Sequence, residues 1–153
     1  MPEPAHAPPI ARPDTAAAFA AEVIARTGLT EEVLARLVHR FYARVRQDAV
    51  LAPVFAARIT DWPPHLARMC AFWSSVVLMS GRYHGAPVSA HQGLPVDADH
   101  VARWLALFGE TARDTCTAEG AVLVEEKAQR IARSLQFAVA AAAGGAPALR
   151  PQG

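Results

Sequence analysis

The sequence predicts one all-α domain, on three observations. Apolar residues recur at intervals of three and four along most of the chain, no stretch alternates with period two for long enough to read as a strand, and cap residues and glycines punctuate the periodic runs. With 153 residues and 52% of them hydrophobic, there is material for one substantial core and too little for two ordinary domains. Five of the 12 prolines fall before Asp14, a composition poor in backbone donors and apolar content, so residues 1–14 are expected to be disordered. Gly144-Gly145-Ala146-Pro147 closes the last helical pattern, leaving 15–143 as the folded unit and 144–153 as a flexible tail.

Taken in order, a first helix runs over Thr15 to Arg26 and stops at Gly28. A second follows Thr30 as N-cap, carries Val33, Leu37, Phe41 and Val45 on one side, and ends near Gln47-Asp48. Pro53-Val54-Phe55 reads as a connection. Asp61 is then placed to cap a helix whose first turn tolerates Pro63 and Pro64, because first-turn amides have no intrahelical acceptor; His65, Met69, Phe72 and Val76 share one stripe of it. Gly81 and Gly85 bracket its exit into a loop that runs to about Pro95. Asp97 caps the next helix, which turns Val101, Trp104, Leu105 and Phe108 inward and carries Gly109 at a cost of about 1 kcal/mol relative to alanine. The last helix, from about Thr117 to Ala143, repeats Val124, Ala128, Ile131, Leu135 and Val139, with Glu126 and Arg130 outside as an i to i+4 pair.

The 15 basic and 14 acidic residues leave a net charge of +1 with no basic stripe, which argues against nucleic acid or an anionic membrane as partner. No apolar run approaches the roughly 20 residues of a membrane span, and the alanine-rich stretch near the start, broken by Glu22 and preceded by acids, is a poor signal peptide. Cys70 and Cys116 match no metal or redox spacing and read as buried reduced thiols of a cytoplasmic protein.

Tyr42, His65, His91 and Trp104 are the polar or aromatic residues directed toward this apolar core. Singly, each is explained as an ordinary core residue with a satisfied polar atom. Their distribution points further. The helix from His65 to Met79 carries the chain about 21 Å away, and the segment from Gly81 to His91 spans up to about 33 Å. The chain is therefore long enough to return and set His91 on the far side of a slot from His65, with room for a planar cofactor such as haem. An iron-bound imidazole needs a second-shell acceptor for its other nitrogen, which a loop carbonyl supplies. Tyr42 and Trp104 are suitable donors to a diatomic ligand that gains negative charge. Met69 suits an apolar cover, and Phe55 and Phe72 suit a hydrophobic wall, although core packing accounts for these equally and is the preferred reading of Trp73. Arg82 and Tyr83 are candidates for pairing with haem carboxylates, against the alternative of a solvated loop.

Several segments in one order carry a family resemblance: Phe41-Tyr42-Ala43-Arg44-Val45-Arg46, Pro53-Val54-Phe55, Trp62-Pro63-Pro64-His65-Leu66, the run from Phe72 to Gly85 followed by His91, and Arg103-Trp104-Leu105-Ala106-Leu107-Phe108. Over about residues 30 to 140 the chain resembles the group III truncated haemoglobins, and it shares their lack of glycine between Gly28 and Gly81. The resemblance implies a two-on-two helical sandwich around haem b. It further implies His91 as the proximal iron ligand, Tyr42 and Trp104 as distal donors, His65 at the distal histidine position and Phe55 against the haem. Two features depart from the pattern: Gln92-Gly93 directly after His91, and Gly109 in the helix of Trp104.

The function expected is binding of O₂, NO or a related diatomic ligand for O₂/NO or peroxide chemistry, because two or three donors around the ligand hold it tightly. Such chemistry needs a reductase partner to restore ferrous iron. Oxygen storage or delivery is the second reading, and a haem-free helical interaction module the third.

Overall fold

The computed structural model describes residues 15–85 and 97–143. The disorder expected of 1–14, the tail expected over 144–153, and His91 with Gln92-Gly93 lie outside the described residues. Among the described residues there are six helices and no strand: α1 (Thr15–Thr27), α2 (Glu31–Val45), α3 (Leu51–Ala56), α4 (Trp62–Leu78), α5 (Ala98–Thr115) and α6 (Ala118–Ala143).

Gly28 ends α1 in the left-handed conformation (φ 72°), its N–H donating to the Ile24 carbonyl at 2.7 Å. Thr30 caps α2, accepting from Val33 N at 3.1 Å, and Glu31 and Glu32 complement the positive end of the helix. The buried side of α2 comprises Leu34, Leu37, Val38, Phe41, Tyr42 and Val45; Val33 is only half-buried. The helix stops short of Gln47-Asp48, because the Gln47 and Asp48 amides turn to Arg44 and Val45 carbonyls (both 3.1 Å), three residues back, and tighten the chain out of the α geometry.

Pro53-Val54-Phe55 proves helical. Asp48 receives Val50 N (3.1 Å) and Leu51 N (3.0 Å) on its side chain and so supplies the acceptor that starts α3, while Pro53 lies in a first turn where a missing N–H costs nothing. The other oxygen of Asp48 accepts from Arg103 Nε at 2.8 Å and from Nη2 of the same guanidinium.

Asp61 precedes α4 as expected but makes no side-chain cap bond. The amides that a cap would bind, at the second and third helical positions, belong to Pro63 and Pro64 and do not exist. The fully buried residues of α4 are Trp73, Ser74, Val77 and Leu78, whereas the expected stripe of His65, Met69, Phe72 and Val76 is half-buried. At its C-terminus Met79 takes φ 54°, ψ 38° and is 59% exposed. A left-handed non-glycine residue is strained, so Met79→Gly should raise the unfolding free energy by about 1 kcal/mol, read from the shift of the denaturant midpoint.

Asp97 caps α5 with a reciprocal pair: its carboxylate accepts from His100 N at 2.9 Å and His100 Nδ1 accepts from Asp97 N at 3.2 Å. Gly109 is buried and α5 runs through it. A Cβ there would lie 2.8 Å from Glu125 Oε1, the carboxylate that pairs with Arg113 at 2.7 Å across the α5–α6 contact. Glu126 and Arg130, expected to pair along α6, are joined by no bridge among the described residues.

Helix α2 packs against α4 and α5, and α5 lies along α6, giving the two-layer helical sandwich that was expected. Its centre is aromatic. Phe108 stacks against Trp73 (ring centroids 4.9 Å) and Trp104 (5.4 Å) and meets Phe41 edge-on at 5.2 Å, and both phenylalanines are 1% exposed.

Candidate functional site

His65, Met69 and Phe72 of the half-buried α4 stripe, though not Val76, line a cavity of about 480 Å³ formed by α2 to α6, a volume usual for cofactor sites, with mostly apolar walls. Leu51, Val54 and Phe55 of α3 form one side, Met69, Phe72 and Trp73 of α4 another, and Val101 of α5 with Ile131 and Leu135 of α6 face them. The expected residues Tyr42, Phe55, His65, Met69, Phe72, Tyr83 and Trp104 all line this space. Trp73, read as core, is both buried and part of the wall.

Polar groups are few. Tyr42 is buried on α2, with Phe41 (5.0 Å), Phe55 (5.8 Å) and Trp62 (5.8 Å) around its ring and the His65 imidazole edge-on at 5.0 Å. Burial pushes the phenol well above its usual range, so Tyr42 keeps its proton and stays a hydrogen-bond donor through the physiological range. His65 also meets Trp62 at 5.5 Å, and its Nε2 is buried. Trp104, half-buried on α5 and held between Phe41 and Phe108, offers an indole N–H, which can only donate. Three donors of different kinds thus border one apolar space.

The rim carries residues that the sequence reading missed. Arg58, just beyond α3, Arg68, one turn after His65 on α4, and His100, at the start of α5, all line the cavity, as does Gln136 of α6; among the described residues no carboxylate does. The spacing of Arg68 from His65 along one helix was the one signal available. Arg82, expected beside the cofactor, does not line the cavity. Its guanidinium bonds Glu31 Oε1 at 2.6 Å, and Glu31 Oε2 accepts from the fully buried Ser74 hydroxyl at 2.7 Å. Tyr83 does line it, with its N–H donating to Ser75 Oγ at 2.9 Å and its ring on Phe72 at 5.2 Å. Cys70 and Cys116 are half-buried rather than buried; burial raises both thiols, Cys116 to about 11, and neither lines the cavity. Among the described residues no cluster of acids, histidines or cysteines has the makings of a metal site, and no helix is long and apolar enough to cross a membrane.

No family model matches the chain. It is similar to the group 3 truncated haemoglobin ctb of Campylobacter jejuni, with 32% identity over 113 residues that cover 71% of this chain and 89% of that protein. Its fold is similar to the crystal structure of the group III truncated haemoglobin from Campylobacter jejuni, with a TM-score of 0.67 and 32% identity, covering 72% of this chain and 91% of the other.

Proposed function

This chain belongs to the group III truncated haemoglobins, and on that premise we propose that it holds haem b in the α2–α6 cavity, with His91 as iron ligand, and acts there on O₂, NO or a related diatomic ligand. The observation that carries the reading is the composition of the cavity wall: an apolar space bordered by three buried or half-buried donors, Tyr42, His65 and Trp104, with cations and, among the described residues, no carboxylate at the rim. Those residues fit the group, since an apolar macrocycle suits Phe55, Met69, Phe72 and Val101, and its two carboxylates suit Arg58 and Arg68, which line the cavity, better than Arg82, which does not.

Haem iron, when bound, supplies the electrons with which a diatomic ligand is held and activated. The chain's part is donation and exclusion. Tyr42 and Trp104 offer O–H and N–H to a ligand that gains negative charge, in mostly apolar surroundings where such bonds are stronger than in bulk water. Each donor contributes about 1 kcal/mol or more, which favours retention and reaction of the ligand over its release. Turnover then requires a reductase, and the free thiols Cys70 and Cys116 support action in the reducing cytoplasm.

The test is spectroscopic and kinetic. Protein produced with a haem supply should show a Soret band and slow O₂ release, and Tyr42→Phe or Trp104→Phe should each speed release by about 10-fold. Absence of a Soret band overturns the haem reading. Release that is fast in the parent and indifferent to both substitutions overturns the retention argument and favours storage or delivery.

A further inference from the structure

The first turn of α4 carries His65 yet lacks the usual means of closing such a turn. Asp61 makes no cap bond, and Pro63 and Pro64 bring no amides for a cap to bind. Something else has to hold the turn against fraying.

The contacts around Trp62 provide it. Trp62, the first residue of α4, meets the His65 ring at 5.5 Å (88° between planes) and the Tyr42 ring at 5.8 Å (53°), and Tyr42 and His65 meet at 5.0 Å, so the three rings close a triangle. Tyr42 and His65 line the cavity and Trp62 does not; it packs behind them. Over the indole stands Arg46, its guanidinium carbon 4.7 Å from the ring centroid. Arg46 is itself anchored, because it follows the last residue of α2 and its N–H donates to the Tyr42 carbonyl at 3.0 Å. The indole is thus clasped between the end of α2 and the start of α4.

We propose that Trp62, held by Arg46, is a positioning residue that pins the first turn of α4 to α2 and thereby sets how His65 presents its imidazole to the cavity and how readily small ligands pass it. The two ring pairs of Trp62, edge-to-face with His65 and tilted with Tyr42, favour one arrangement by a factor of about 3 to 10 each, and a cation over this half-buried indole adds a factor of about 2 to 5. Losing Trp62 removes two ring pairs and the cation contact at once. Losing Arg46 removes only the last.

The kinetic half of this inference rests on the haem reading; the conformational half does not. Two measurements therefore run in parallel on the full chain: the His65 imidazole resonances and the amide exchange of residues 65–67, with and without haem, and CO recombination after flash photolysis of the haem-loaded protein. Trp62→Ala should shift and broaden the His65 signals, speed amide exchange, and change bimolecular CO recombination by about 10-fold. Arg46→Ala should act in the same direction by about 3-fold, while Trp62→Phe and Arg46→Lys should return most of the parent behaviour. His65 resonances and exchange unmoved by both alanine variants overturn the proposal, as does CO recombination within 2-fold of the parent in a Trp62→Ala protein that holds haem. Should Trp62→Ala fail to fold, Arg46→Ala, changed at an exposed position, decides on the same criteria. A chain that takes up no haem defeats the haem reading, and the His65 resonances then decide this one.

Discussion

Replacing His91 by alanine should strip the haem-loaded protein of its normal Soret band and weaken haem retention by more than about 100-fold, beyond the 10- to 100-fold loss that follows removal of an outer partner of a metal ligand. The wall formed by Phe55, Met69, Phe72 and Val101 would still bury the macrocycle, so some haem should remain loosely associated. Free imidazole in the millimolar range should then restore much of the parent spectrum by entering the vacated position. His65→Ala should leave the band in place and alter ligand kinetics instead. The contrast separates the two duties proposed for His91 and His65. A His91→Ala protein with an unchanged spectrum would reverse the assignment.

The largest effect on stability is expected at Phe108. Its ring is 1% exposed and lies against Trp73, Trp104 and Phe41, so truncation removes partners from three rings at once. Phe108→Ala should cost about 3–5 kcal/mol, lowering Tm by about 10–20 °C. Phe108→Leu, which preserves most of the volume, should cost less than about 1.5 kcal/mol. Chemical denaturation with an unchanged m-value would attribute the loss to the native core. A change below about 1 kcal/mol in Phe108→Ala would mean that the aromatic centre repacks freely.

Five of the helices were legible because their signals are local: Thr30 and Asp97 at caps, Gly28 at a stop, and three-four periodicity between them. Helix α3 was not, because Pro53 reads as a breaker and the acceptor that starts the helix, Asp48, stands before the two residues that precede it. The stripe of His65, Met69 and Phe72 was legible as a face, but periodicity does not distinguish a face turned to core from one turned to a cavity; half-burial does. Arg82 shows a different limit. Its partner, Glu31, lies 51 residues away, a distance at which no local pattern operates, and the cations that do reach the rim, Arg58 and Arg68, look in sequence like any other solvated arginine. Tyr42, His65 and Trp104 stand out in sequence as polar or aromatic residues on apolar faces, but each alone is unremarkable there, and it is the family likeness that gives them distal roles.

Asp48 closes a circuit among these parts. It follows the helix of Tyr42, starts the helix of Phe55, and binds Arg103, the neighbour of Trp104. The bond from Arg103 holds its carboxyl below the usual carboxylate range, with the Leu51 and Val50 amides adding to the effect. A group lowered in the folded state contributes its stability above its unfolded value and surrenders it as pH falls through the folded one. The joint therefore persists through mild acid and yields in strong acid. When it yields, three walls of the cavity lose their common anchor together, so acidification should reach the site through its scaffold as a single cooperative loosening.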